Sequence, residues 1–174
     1  MPDILTTLQH EHDQLRALFE RMNATEDAQQ QERLQLMEQI EQLLIPHAKW
    51  EETAFYPAFA ARADHAQLKA HAAAIQEHRA VEMTVLPDVK GADPGSRQFA
   101  GSAQVFGELV DHHATEEEDR IFAAMRELYD AQELADLAAQ YAQWKESSFA
   151  EVMTAYAKTK SAVQGAFRVH DNPL

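Results

Sequence analysis

The 174-residue sequence contains no cysteine. That removes disulfides, thiolate metal sites, iron–sulfur ligation and cysteine nucleophiles together. Glycine (5) and proline (6) are scarce, so the turn residues of a many-stranded β fold are missing. Basic residues are outnumbered by acids, 15 to 29, giving a formal charge of −14. Such a surface repels phosphate backbones and anionic lipid, which argues against nucleic-acid and membrane-surface partners. No run of about 18 apolar residues exists, so no transmembrane helix is expected. The opening MPDILTTLQHEHDQ has neither a basic start nor an apolar core of a signal peptide. The expected address is the cytoplasm.

What is present is Ala, Glu, Gln and Leu, a helix-forming composition. Hydrophobic residues make up 45% and charged residues 25%, enough for a buried core. The count that stands apart is nine histidines.

Asp3 can cap a first helix running to about Asn23, and residues 25–29 form a polar connection. A second helix is expected over about residues 30–62, disturbed locally by Pro46 and kinked or ended by Pro57. Asp64 can cap a third helix reaching about Val89. Residues 90–96 (KGADPGS) are the clearest loop. Asp93 and Pro94 fit a cap and first-turn proline for a fourth helix to about Tyr129. Asp130 and Glu133 resemble a capping box opening a fifth helix, DAQELADLAAQYAQW, with a further helical stretch, SFAEVMTAYAKTKSAV, after it. The expected fold is all-α: an antiparallel up-down four-helix bundle over residues 1–129, with a helical C-terminal extension over 130–174 packed on it.

Each of the four helices carries an apolar stripe at 3-4 spacing. The first places Leu5, Leu8, His12, Leu15, Phe19 and Met22 on it. The second places Met37, Ile40, Leu44, His47, Glu51, Phe55 and Ala58; the third, Leu68, His71, Ile75, His78, Glu82 and Val85. The fourth places Phe99, Ser102, Phe106, Leu109, His113, Glu117, Ile121 and Ala124. Ionisable residues thus sit where a core should be.

Those residues form a repeat. His47/Glu51 and His113/Glu117 are both His-x-x-x-Glu, which puts the two side chains one turn apart on the same helix face. An offset of 66 residues relates these pairs, and the same offset carries His12 onto His78. Both of the latter follow a glutamate, Glu11 or Glu77. Two copies of a helical hairpin would bring four imidazoles and two carboxylates to the middle of one bundle. A buried unpaired carboxylate protonates or finds a cation. Imidazole with carboxylate and no sulfur suits iron, zinc or manganese. Six ligands exceed what one tetrahedral zinc needs, so two metals fit better.

The pattern His…His-x-x-x-Glu…His…His-x-x-x-Glu resembles the hemerythrin-like, HHE cation-binding family, over about Asp3 to Tyr129. The resemblance implies a four-helix bundle around a non-haem di-iron centre with an oxo or hydroxo bridge. His12 and His47 would hold one iron, His78 and His113 the other, and Glu51 and Glu117 would bridge them. Oxygen-carrying members place a fifth histidine one turn from the third-helix ligand, where this sequence has Ala74 and Glu82. Their fourth-helix carboxylate is an Asp five residues after the histidine; here it is Glu117, four after. The symmetric four-His, two-Glu set is more like members implicated in nitric oxide or peroxide chemistry. Those that repair iron–sulfur clusters often carry a cysteine-bearing segment, and this sequence has no cysteine.

The implied function is binding of, or reaction with, O2, NO or peroxide in sensing or detoxification. Alternatives are an iron- or redox-dependent interaction module and reversible O2 storage. A small, mostly apolar cavity is expected at the centre, too confined for a large organic substrate. Among the other ionisable residues, Glu82 could be a further ligand or pair with Arg16. Glu52 and Glu118 are read as solvated or as partners of a histidine N–H. His71 is read as packed, His10 and His112 as lying off the stripe, and Tyr56 and Phe122 as core. In the extension, Phe149, Met153, Tyr156, Val163 and Phe167 form a stripe interrupted by Lys160, expected to pack on the bundle or to meet a second copy. Monomer and homodimer both fit.

Overall fold

The computed structural model describes residues 2–167, with side chains described as far as Lys158. Asp3 accepts the Thr6 N–H at 2.8 Å and so starts α1 (Ile4–Asn23). A second rod consists of α2 (Gln30–Trp50), a π-helical turn (Glu51–Phe55) and α3 (Tyr56–Arg62). Asp64 and Gln67 form the capping box that opens α4 (His65–Ala80), which continues through a second π turn (Val81–Val85) into α5 (Leu86–Gly91). The fourth rod is α6 (Arg97–Glu116), a third π turn (Glu117–Phe122) and α7 (Ala123–Leu128). These rods make the antiparallel four-helix bundle. α8 (Ala131–Phe167) then lies against α1 and α2. Its 37 residues span about 55 Å at 1.5 Å each. The described residues include no strand.

Three details differ from the sequence expectation. The fourth helix is capped by Ser96, whose hydroxyl accepts the Phe99 N–H at 3.0 Å. Asp93 is taken up by its own loop, accepting the Gly95 N–H. Pro46 does not disturb α2; the irregularity comes at Glu51–Phe55 instead. The fifth helix runs unbroken past Trp144, because residues 145–148 contain neither glycine nor proline. Asp130 and Glu133 do exchange backbone and side-chain hydrogen bonds at its start.

The π turns have a visible cause in two rods. Pro57 and Pro87 stand directly after them, in the first turns of α3 and α5. A proline inside a helix clashes with the carbonyl four residues back. A widened turn relieves that clash, and Tyr56 and Leu86 bond carbonyls five residues back, those of Glu51 and Val81. The extra residue also rotates the helix beyond it. Phe59 is therefore buried in place of the expected Ala58, and Leu86 in place of Val85. Leu68, expected on the third stripe, is 36% exposed. On α6 the buried face runs through Ala103, Gly107 and Val110 rather than Ser102 and Leu109.

The apolar core has two parts. One contains Ile4, Leu8, Phe55, Phe59, Phe122 and Met125, joined by Leu134, Ala138 and Tyr141 of α8. The other contains Leu15, Phe19, Ile40, Leu86, Phe99 and Phe106. A polar layer separates them. Of the extension's stripe, Tyr156 packs on the second part and Phe149 is 37% exposed. Val163, Phe167 and Lys160 lie outside the described side chains.

Candidate metal centre

The polar layer is made where the four rods carry their histidines. His12, His47 and His113 are buried, His78 nearly so, and Glu51 and Glu117 are 0% and 2% exposed. The imidazoles meet in pairs: the Nε2 atoms of His12 and His47 are 3.1 Å apart, and those of His78 and His113 are 3.0 Å apart. Glu51 lies between the pairs, with Oε1 2.8 Å from His47 Nε2 and Oε2 3.4 Å from His78 Nε2. Glu117 Oε2 is 3.4 Å from His12 Nε2. Two groups of potential ligand atoms result, each with its members within 4.8 Å of one another: His12, His47, Glu51 and Glu117, and Glu51, His78 and His113. All six residues expected from the sequence come together here. Glu51 belongs to both groups, whereas Glu117 belongs to the first.

Every inward-facing imidazole is held from behind by a carboxylate on its Nδ1. His12 reaches Glu118 at 2.9 Å and His78 reaches Glu52 at 3.2 Å. His47 reaches Glu11 and His113 reaches Glu77, both at 2.8 Å. These four pairs obey the 66-residue repeat. A carboxylate on Nδ1 assigns the proton there and leaves the Nε2 lone pair facing inward, as a metal ligand requires. Glu52 and Glu118 are thus histidine partners, each with part of its side chain still exposed. Glu11 and Glu77 were visible in the sequence only as neighbours of a histidine. Their signal was the repeat itself, which a reading confined to the inward-facing ligands passes over.

The four outer carboxylates are not equally supported. Glu118 is backed by Arg16 at 3.0 Å, and Arg16 also bonds Asp111 and Asp13. The Glu82–Arg16 pair, one of the two alternatives for Glu82, is therefore not formed: Arg16 turns to Glu118, and Glu82 is exposed. Glu11 is clamped by α8, through the Tyr141 hydroxyl and the Lys145 ammonium, each at 2.7 Å. Among the described residues, its equivalent Glu77 meets His113 at 2.8 Å and a distant His112 at 3.7 Å. No sequence pattern pointed to Tyr141 or Lys145, since the extension lies outside the repeat.

The residues present fit a cation. None of the four oxygens of Glu51 and Glu117 accepts a hydrogen bond, although all are buried. Such groups are costly unless something positive meets them. Without a metal the site gathers protons instead. Burial pushes His47 down, but Glu51 and Glu11 outweigh it and raise the imidazole to about 10. Burial likewise opposes the charge of Glu11, but His47, Lys145 and Tyr141 hold that carboxyl at about 2. Nitrogen and carboxylate donors without sulfur suit iron, zinc or manganese.

Of the remaining candidates, His112 is exposed at the surface and His10 contacts Gln14. His71 packs edge-on against Tyr56 at 5.5 Å. Phe122 stacks on His12. Its repeat equivalent Tyr56 is more than packing, because its hydroxyl lies 3.4 Å from His113 Nε2. Burial and the neighbouring Glu117 and Glu51 push that phenol well above its usual range. The cavity beside the centre is also larger than expected. About 400 Å³ in volume, it touches all four histidines and is covered by α8 at Val152, Ala155 and Tyr156.

A bundle with paired histidines and buried carboxylates at mid-height has the ligand set of a metal-binding helical protein. Residues 3–125 match the family model "Hemerythrin HHE cation binding domain". The chain belongs to this metal-binding hemerythrin HHE family. A similar fold occurs in the crystal structure of a hemerythrin HHE cation-binding domain-containing protein from Mycobacterium kansasii. That chain is 24% identical, with a TM-score of 0.72 over 88% of this chain and 94% of the other. No curated protein matches the sequence. Among the described residues, no helix is long and apolar enough to cross a membrane.

Proposed function

We propose that the six residues hold two iron ions, and that the centre binds or reacts with O2, NO or peroxide in sensing or detoxification. The observation that carries this reading is the pair of buried carboxylates, without hydrogen bonds, between two pairs of Nε2 atoms. In this reading His12 and His47 would hold one iron and His78 and His113 the other, with Glu51 and Glu117 the carboxylates that would be shared between them. Iron there supplies Lewis-acid and redox chemistry toward a small ligand. The protein's own part is to fix the imidazoles through Glu118, Glu11, Glu52 and Glu77, and to limit water through the flanking apolar layers. Tyr56, a phenol held protonated beside His113, can donate a hydrogen bond to a group arriving there.

Elemental analysis of protein produced with iron is the first test. Two irons per chain are expected; one tightly held zinc with no iron uptake overturns the proposal. The reduced, loaded protein should then react with at least one of O2, NO and peroxide. Repeated peroxide consumption identifies a catalyst, a reversible oxygenated form a carrier, and a single oxidation event a sensor. The link from Glu11 to α8 favours a second reading, an iron- or redox-dependent interaction module. A loaded protein inert to all three ligands, whose affinity for a partner tracks its iron content, would support that one.

A further inference from the structure

The chamber at the centre is oversized for O2, NO or peroxide. Part of its 400 Å³ lies against the four histidines and belongs to the metal site, yet a dioxygen or peroxide molecule, at about 30 Å³ for a water-sized one, fills only about a tenth of the whole. Pockets for small organic ligands begin at roughly 300 Å³ and are mainly apolar. This one has walls of that kind, including Leu15, Leu44, Val81, Leu86, Val110 and Val152. A second feature is its built cover. Tyr156 of α8 packs on the second part of the core. Its hydroxyl takes a hydrogen bond from Lys90 of α5 at 3.2 Å, and Lys90 in turn pairs with Glu41 of α2. Three elements therefore fix the cover over an apolar space that adjoins the metal site. Charge is the third. Glu52, Glu77, Glu82 and Glu151 line the chamber, against one ammonium, Lys49. That balance disfavours anions.

We infer that the chamber binds an uncharged, mainly apolar organic molecule, with one polar end turned to the histidine layer and the apolar body under α8. This deepens the proposed function: the centre would serve alkyl or aryl compounds, organic hydroperoxides being the natural class, besides diatomics and hydrogen peroxide. The inference rests on that function for the chemistry, but its binding test does not.

The test is calorimetric titration of the full chain, iron-loaded and zinc-loaded, with 1-octanol and with octanoate. Saturable 1:1 binding of octanol is expected in both forms, with a negative heat-capacity change and at least tenfold weaker binding of octanoate. Val152→Trp on the cover and Val81→Phe on the wall should each weaken octanol at least tenfold while metal content stays unchanged. No saturable octanol binding overturns the inference. So does octanoate binding as tight as octanol, or octanol binding that survives both substitutions. Octanol binding in a protein inert to O2, NO and peroxide refutes the proposed function and leaves the chamber site standing. Peroxide or NO reactivity without octanol binding does the reverse.

Discussion

Replacing Glu11 with glutamine preserves shape and removes charge, and Glu11→Gln should be far more damaging than Glu77→Gln. By the repeat the two glutamates are equivalent, each 2.8 Å from the Nδ1 of a histidine in the paired layer. By their surroundings they are not. Glu11 receives three donors: His47, Tyr141 and Lys145. An amide has one accepting oxygen, so its NH2 must face at least one of those donors. Losing a hydrogen bond to a charged group costs about 1.5–3 kcal/mol. Loss of an outer partner of a metal-bound histidine lowers metal affinity by about 10- to 100-fold. Glu11→Gln should reach the upper part of that range, since Glu11 is 6% exposed and water cannot substitute. Glu77 has a 29% exposed side chain, so water can take over, and Glu77→Gln should stay near or below about tenfold. The assay is iron release to a chelator at fixed concentration, monitored optically, with the melting temperature of each metal-free variant as control. Equal release from the two variants, or faster release from Glu77→Gln, would refute the argument that α8 makes the sites unequal.

Glu51 touches both histidine pairs, so Glu51→Gln should lose metal from both, while His112→Ala keeps the wild-type content by elemental analysis. Metal-free Glu51→Gln should melt below wild type, because without metal the buried carboxylate is the 2.8 Å partner of a protonated His47, which the substitution leaves uncompensated. Two glycines of α6 make a pair with opposite signs. A Cβ on Gly107 would lie 3.0 Å from the Phe19 ring, whereas nothing lies within 4 Å of one on Gly101. Gly101→Ala should stabilise by about 0.5–1 kcal/mol; Gly107→Ala should destabilise by about 1 kcal/mol as overpacking exceeds propensity. Thermal melts that rise for both would show that Phe19 yields. Finally, the hydrogen bonds from Arg62 and the Asp130 backbone hold Glu133 at about 2, below its ordinary 4.5. A lowered folded value means that this pair supports the fold above pH 4.5 and loses its contribution as pH falls toward 2. In Arg62→Met, an NMR titration should find the Glu133 carboxyl moved back toward 4.5.

What could be read in the sequence was whatever repeats or caps. The 66-residue offset exposed His12, His47, His78 and His113 with Glu51 and Glu117, because residue type and helical spacing had to agree twice. Asp3, Asp64 and Asp130 announced helix starts through local chemistry alone. The π turns were not readable. In the second and third rods they displace the buried face by one residue, so Phe59 and Leu86 replaced Ala58 and Val85, whereas the expected Ala124 stays buried in the fourth; a period of 3.6 cannot anticipate that. Ser96 outcompeted Asp93 because the loop used the aspartate for itself. Tyr141 and Lys145 were invisible for another reason: a contact between sequence-distant helices leaves no local pattern.

That last distance also orders events during synthesis. Lys145 meets Glu11 across 134 residues, whereas every residue of the histidine–carboxylate layer has been added by Glu118. At about 5–20 residues per second, the 27 residues from Glu118 to Lys145 take on the order of one to five seconds to add. The residues of the ligand set are therefore made before the two that clamp Glu11. A bundle that closes before α8 docks holds Glu11 no more firmly than Glu77, and docking of α8 is the step that makes those two glutamates unequal.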